Sequence, residues 1–295
     1  MKIAFIGLGV MGYPMAGHLQ TRGHEVTVFN RSPEKAARWV EQFGGKAAGS
    51  PREAAAGANL ACLCVGNDDD VSSVVLGEEG IFAGLGAGGV LVDHTTASAH
   101  LARELAGDAK ERGLVFLDAP VSGGQAGAEN GALTIMVGGD PAAFERVEDV
   151  LAVYGRCVRL LGPPGSGQLA KMVNQICIAG ILQGLAEGLR FSECAGLDSA
   201  AVVEVIAQGA AQSWQMDNRY ETMLAGHYDH GFAVDWMRKD LGMVLQQAGQ
   251  LGLELPVTRL VDSCYAEVQA MGGGRWDTSS LFARMQALTP DQQET

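Results

Sequence analysis

The apolar positions of the chain fall into two textures. Over the first 160 residues, short apolar runs alternate with stretches of helical period. KIAFIG (2–7), EVTVFN (25–30), ANLACLCV (58–65), GGVLVDHT (88–95) and GLVFLDAP (113–120) read as strands. Helices are predicted between them, from about Val10 to Arg22 and from Pro33 onward. Proline suits a first helical turn, because its fixed φ is already helical and its missing N–H would find no partner there. The strand runs lack strict in–out alternation, which is the pattern of strands covered on both faces. Strands alternating with helices in this way predict an α/β, doubly wound sheet. ALTIMVGG (132–139), a helix from Pro141 and RCVRLLG (156–162) extend the edge of that sheet.

Beyond PPGSG (163–167) the texture turns helical to the C-terminus. Gln168 to Glu193 carries Leu169, Met172, Val173, Ile176, Ile178, Ile181, Leu182, Leu185 and Leu189 at close to helical spacing, which predicts one long helix. The reading is two domains, 1–162 and 163–295. Ala170, Ala179, Gly180, Gly184 and Ala186 permit close approach of another helix, so a homodimer or homotetramer built on the long helix is expected.

Composition narrows the function. The 295 residues include 34 Asp and Glu against 21 Lys and Arg, a net charge of −13, which argues against a nucleic-acid surface. A 19% charged fraction is too low for a disordered chain, and 47% apolar residues suffice for packed cores. Every stretch of about 18 residues has polar interruptions, and the first strand begins without a signal-peptide pattern, so a cytoplasmic protein with no membrane partner is expected. The six cysteines form no C-x-x-C pair and read as buried free thiols in a reducing compartment. The six histidines show no ligand spacing, so no metal is expected.

Gly7-Leu8-Gly9-Val10-Met11-Gly12 is G-x-G-x-x-G directly after a strand and before a helix. Gly7 permits the tight turn, Gly9 lets the backbone approach a pyrophosphate, and Gly12 lets helix and strand pack closely. The helix N-terminus then faces the phosphate charge. At the end of the second strand, where an NAD site places Asp or Glu, the chain reads Asn30-Arg31-Ser32, with Lys35 one turn later. No carboxylate there repels a 2′-phosphate, Arg31 can pair with one, and Ser32 and Lys35 add a donor and a charge. NADP is the expected cofactor, with NAD possible if Arg31 and Lys35 are only solvated helix-start charges.

Three further segments carry chemistry. In Asp118-Ala-Pro-Val-Ser122-Gly123-Gly124, a hydroxyl and bare backbone N–H groups can hold a carboxylate. In Gly165-Ser-Gly-Gln168-Leu-Ala-Lys171-Met-Val-Asn174-Gln175, four polar side chains three or four apart share one face of an otherwise apolar helix. A lysine there needs a reason, since burying an ammonium is costly. From Phe232 to Leu241, a basic pair, Arg238 and Lys239, stands beside Asp240.

With these motifs in view, the chain resembles the β-hydroxyacid dehydrogenase family over nearly its whole length. GLGVMGYPMAGHL (7–19), DAPVSGG (118–124), GSGQLAKMVNQ (165–175) and KDL (239–241) stand in that family's order and spacing. The resemblance implies a Rossmann domain followed by an all-helical domain, joined by the long helix. It implies that Lys171 is catalytic, that Ser122, Gly123 and Gly124 grip a substrate carboxylate, and that Asn174 positions substrate. Thr96 matches the position near the nicotinamide, and Lys239 a cofactor-contacting one with Phe232 on the same side. Asp240 accompanies Lys239 on the substrate side, and Asn30-Arg31-Ser32 matches the NADP-using branch. The implied substrates are short 3-hydroxyacids or their semialdehydes. Their oxidation asks a lysine to be neutral first, so a group titrating near 10.4 must come down to about 7.5, about 4 kcal/mol of differential stabilisation, with partial burial and a neighbouring Lys239 as the expected causes. Trp214, followed by Met216, Asn218 and Arg219, either caps a small substrate pocket or packs between domains or subunits.

Other readings differ at particular positions. Imine reductases of similar architecture typically lack a lysine at the position of Lys171. A phosphogluconate dehydrogenase needs a longer helical region. A cofactor-binding scaffold without catalysis has no use for the intact Lys171 motif.

Overall fold

Parallel strands with helical crossovers build the first half of the molecule. A computed structural model describes residues 1–288; residues 289–295, which the expectation of helix to the C-terminus also covered, lie outside the described residues. The strands are β1 (Lys2–Ile6), β2 (Glu25–Phe29), β3 (Lys46–Ala47), β4 (Leu60–Leu63), β5 (Val90–Asp93), β6 (Val115–Asp118), β7 (Val121–Ser122), β8 (Leu133–Gly138) and β9 (Gly155–Gly162). They lie in the order β3-β2-β1-β4-β5-β6-β8-β7, with β9 paired to β8. Pairing from β3 through β6 is parallel, while β8 runs antiparallel to β6 and β7. This is a Rossmann sheet with a mixed extension at one edge.

Burial explains why the strand runs do not alternate. Ile3, Phe5, Val26, Val28, Cys62 and Val92 enter a core on one face, and Ala4, Ile6, Ala61, Leu63 and Leu91 enter a second core on the other. With helices on both faces, either set of side chains must be apolar. At the outer edge β9 alternates between half-buried and exposed positions. The short strand β7 was not legible in the sequence. Pro120, which has no N–H to give to a ladder, separates it from β6. The helix expected from Pro141 is two short pieces, Pro141–Glu145 and Glu148–Leu151.

The cysteine expectation needs correction. Cys62 and Cys264 are buried, but Cys157, Cys177 and Cys194 are exposed, and all six thiols are free. Cys157 lies on the edge strand β9, and the other two on outward positions of the long helix.

Under the sheet, His94 Nδ1 lies 2.7 Å from the Ala119 carbonyl and its Nε2 lies 2.8 Å from the Tyr154 hydroxyl. A carbonyl only accepts, so Nδ1 carries the proton and Nε2 accepts from Tyr154. The Cys62 thiol is then the donor toward the Tyr154 oxygen, at 4.0 Å. Burial holds His94 neutral, its pKa pushed down to about 4. We expect Tyr154→Phe to destabilise the fold by about 1–3 kcal/mol, because it leaves Nε2 buried without a donor. Urea unfolding checks this, and an unchanged midpoint would contradict the hydrogen-bond assignment.

The chain forms two compact units, Met1–Lys171 and the residues from Met172 onward, dividing within the first turns of the long helix Ser166–Cys194. The second unit is helical, with Leu182, Leu189, Met223, Met237, Leu241, Val261, Tyr265 and Phe282 in its core. By length and a mean hydropathy of 1.3 over its most apolar stretch, the long helix is apolar enough to cross a membrane, a measure that core helices of globular proteins also meet.

Candidate active site

The glycine-rich turn joins β1 to the helix Gly12–Thr21. Gly7 has φ +93°, and its N–H donates to the Phe29 carbonyl at 2.9 Å, tying the turn to the end of β2. A Cβ on Gly12 would collide with the Gly7 carbonyl, so close packing demands that glycine. Gly9 differs: a Cβ there would meet no protein atom within 4 Å. Its bare backbone borders open space beside the helix start, where Val10 is exposed and no side chain of Met11 caps the first turn. Uncapped N–H groups and the positive end of a helix dipole suit a pyrophosphate.

Asn30 connects the neighbouring loops. Its Oδ1 accepts from Leu8 N at 2.9 Å, and its Nδ2 donates to the Ser32 carbonyl at 3.1 Å. Ser32 precedes the helix Pro33–Phe43 without capping it, and Lys35 is exposed on its first turn. Arg31 reaches outward with 89% of its side chain exposed, and its Nη1 lies 3.4 Å from Asp70 Oδ1. The absence of a nearby carboxylate inferred from the strand end therefore does not hold. Asp70 opens the helix Asp68–Val75, which follows β4, so the sheet order brings it beside Arg31 from 39 residues away. A cavity of about 670 Å³ borders the same turn, lined in part by Gly9, Val10, Tyr13, His18, Lys35 and Arg38. Thr96, Ser122 and Lys171 are not in its lining.

At the ends of β5 and β6, Asp93 and Asp118 are register partners, both buried. Asp93 accepts from Thr95 N at 2.8 Å, yet burial outweighs that bond and pushes its pKa up to about 7. Burial also raises the Asp118 carboxyl, against the N–H groups of Gly165, Gln168 and Gly167 that favour its charged form. Asp118 Oδ1 accepts from Gly165 N at 2.8 Å and Oδ2 from Gln168 N at 2.9 Å. It thereby caps the long helix from another element, an anion at the positive helix end. Gly167 is required by this approach, since a Cβ there would run into the carbonyl of Met136 and lie 2.9 Å from Asp118 Oδ2.

Gln168 adds a second link. Its Nε2 donates to the Thr95 carbonyl at 2.7 Å, and its Oε1 accepts from Ala97 N at 3.1 Å, so one carboxamide brackets Thr96. One turn on stands Lys171, only 7% exposed. Ser122 closes β7 opposite Thr134. Gly123 and Gly124 follow with φ of +134° and +61°, leading into the helix Gly124–Glu129.

In the helical unit, Asn174 Nδ2 donates to Gln175 Oε1 at 2.8 Å, and Gln175 Nε2 donates to Asp240 Oδ2 at 2.6 Å. Asp240 is buried and also pairs with Lys239 at 3.2 Å. The Lys239 ammonium stands 5.6 Å from the centre of the Trp236 ring. Phe232 packs against the helical core, and its N–H donates to Asp277. Trp214 is half exposed at the start of the helix Trp214–Leu224, with the Arg219 guanidinium 5.0 Å above its ring. Arg219 also pairs with Asp277 at 3.2 Å, which commits it to this unit.

Sequence reasoning missed Asp93, Asp118 as a helix cap, the bracketing role of Gln168, the bond from Gln175 to Asp240, and Asp70. One signal was available: VLVD and VFLD each end a wholly apolar strand on an aspartate, at the tips of neighbouring strands.

Comparisons with known proteins bear on the family and the fold. Residues 2–162 match the family model described as the NAD binding domain of 6-phosphogluconate dehydrogenase, and residues 165–285 match that described as NAD-binding of NADP-dependent 3-hydroxyisobutyrate dehydrogenase. An uncharacterized oxidoreductase of Shewanella frigidimarina is 64% identical over 97% of this chain and 98% of its own. The 2-hydroxy-3-oxopropionate reductase of Escherichia coli is 34% identical over 98% of both chains. Among solved structures, 3-hydroxyisobutyrate dehydrogenase of Mycobacterium tuberculosis, described with L-serine, superposes with a TM-score of 0.86 at 28% identity, covering 96% of this chain and 98% of that one. An imine reductase from Pseudomonas sp. is more distant, with a TM-score of 0.62 at 23% identity over 96% and 98% of the two chains, a likeness of fold alone.

Proposed function

The chain belongs to the β-hydroxyacid dehydrogenase family, and from that premise we propose that it transfers a hydride between NADP(H) and a short 3-hydroxyacid or its semialdehyde, with Lys171 as general acid and base. One observation carries the reading. Lys171 is buried one turn after Gln168, whose carboxamide holds both backbone neighbours of Thr96. Burying a lysine is costly, and a role in proton transfer, one turn from the residue that holds the loop expected beside a nicotinamide, accounts for that cost.

The residues present fit the cofactor. The open backbone at Gly9 and the uncapped helix start suit the pyrophosphate, and Arg31, Ser32 and Lys35 offer donors to a 2′-phosphate. Val10, Met11 and Asn30 line or support that turn, with Thr96, Phe232 and Lys239 assigned toward the nicotinamide half. The description of the model matching 165–285 as NADP-dependent supports NADP over NAD.

A reduced nicotinamide held at this turn would supply the hydride that the carbonyl carbon takes up. As an ammonium, Lys171 stabilises the charge developing on the carbonyl oxygen and gives that oxygen its proton, leaving an alcohol and a neutral amine. In the oxidative direction the neutral amine takes the hydroxyl proton. The Ser122 hydroxyl and the N–H groups of Gly123 and Gly124 hold the carboxylate, and Asn174, one turn beyond Lys171, orients the hydroxyl end. Trp214 and Asp240 are assigned to the substrate side. Val173, Ile181 and Phe191, apolar and exposed on the long helix, support the expected homodimer or homotetramer.

A panel tests the reading: 3-hydroxyisobutyrate, 3-hydroxypropionate, tartronate semialdehyde, glyoxylate, succinic semialdehyde and serine, each with NADP(H) and NAD(H), followed by nicotinamide absorbance. At least one member is expected to turn over, faster with NADP(H). No turnover of any member with either cofactor, in protein that still binds NADPH, would reject the substrate class.

A further inference from the structure

We infer that Gln168 is a positioning residue, which sets Lys171 in register with the Thr95–Ala97 loop through its side-chain carboxamide while Asp118 fixes the start of the same helix. The inference rests on the reading of Lys171 as the proton donor and adds how that ammonium is held in place.

The geometry gives the helix start two attachments. Asp118, fully buried at the tip of β6, accepts the N–H groups of Gly165 and Gln168 with one oxygen each. Two bonds to successive parts of one helical turn fix where the helix begins and how it is rotated. Gln168, 1% exposed, then uses both ends of its carboxamide, as donor to the Thr95 carbonyl and acceptor from Ala97 N. No other neutral side chain of that length offers a donor and an acceptor in one plane, which is what a backbone carbonyl and an N–H two residues apart require. Asp93, on the other side of the loop, holds Thr95 N, and the Thr95 hydroxyl accepts from Val65 N at 3.0 Å. The loop is thus fixed from β4, β5 and the long helix. Lys171 stands three residues after Gln168, so both side chains leave the same helix face. A rotation of the helix that broke the carboxamide bonds would carry the ammonium away with it. Proton transfer tolerates little displacement, and a misplacement of about 1 Å can cost about 10²-fold in rate.

The test uses the full-length protein and three variants. Gln168→Leu keeps the size and removes both bonds. Amide exchange of the cofactor-free protein should quicken at residues 95–97, kcat should fall about 10- to 10²-fold, and the dissociation constant for NADPH should stay within about threefold. Gln168→Glu separates positioning from packing and serves if the leucine variant folds poorly. As a carboxylate it accepts from Ala97 N but repels the Thr95 carbonyl; protonated, it donates to that carbonyl again. Its kcat relative to wild type should therefore rise as pH falls. The ratio is read because Asp93 and Asp118 titrate in both proteins, His94 stays neutral in both, and Lys171 is common to them. Wild-type kcat in Gln168→Leu with quickened exchange, or a pH-independent ratio in Gln168→Glu, would overturn the inference. Lys171→Met keeps the two claims apart. If it turns over like wild type, the general-acid reading fails, whereas a dead Lys171→Met beside a fully active Gln168→Leu removes only the positioning role.

Discussion

Replacing Lys171 with methionine is expected to lower kcat by about 10²- to 10⁴-fold while NADPH still binds, which is the span that removal of a positioned general acid covers. Methionine keeps the length of the side chain and suits a site that is 7% exposed, so the fold should hold. The helix start is fixed by Asp118 and Gln168, not by the lysine, so the loop at Thr95–Ala97 should keep its place as well. Loss of turnover without loss of cofactor affinity therefore isolates the proton-transfer role. Fluorescence titration with NADPH measures the first control and urea unfolding the second. A methionine variant within about tenfold of wild type would mean that another group delivers the proton.

The sequence made the fold legible because burial on both faces of the sheet leaves an unmistakable trace. Runs such as Leu60–Leu63 and Val90–Asp93 are buried at every position, and they have no reason to alternate. The glycine turn was legible for a related reason. Gly7 and Gly12 are forced by a positive φ and by a carbonyl at contact, and such needs are written in residue identity. Contacts that depend on strand order could not be read. Asp70 meets Arg31 only because β4 lies beside β1. Asp118 caps a helix 48 residues further on, and a carboxylate ending an apolar strand does not say which N–H groups it will find. Gln168 was noticed for sharing a face with Lys171, but its partners, the backbone of Thr95 and Ala97, have no side-chain signature. The thiols failed for a simpler reason. An apolar neighbourhood in sequence places Cys177 on an apolar helix without saying which side faces out.

Substituting Arg31 with aspartate should invert cofactor choice. The guanidinium is the charged group at the end of β2 able to make paired, charge-assisted hydrogen bonds to a 2′-phosphate. Aspartate removes those bonds, repels the phosphate and accepts from a ribose hydroxyl instead, as carboxylates at this position do in NAD sites. The ratio of kcat/KM for NADPH to that for NADH should fall by at least about 10²-fold, the sum of one lost attraction and one new repulsion. Asp70 makes the experiment sharper. It lies 3.4 Å from Arg31, whose side chain is 89% exposed, so on the proposed reading the carboxylate competes with a 2′-phosphate for the guanidinium. Because exposed ion pairs are weak and screened by salt, Asp70→Asn should tighten NADPH binding by less than about fivefold, with the gain largest at low ionic strength. NADH, which lacks the 2′-phosphate, should bind the Asp70 variant as it binds wild type. If the cofactor ratio survives Arg31→Asp, the phosphate contact belongs to Ser32 and Lys35, and Arg31 is a surface partner of Asp70.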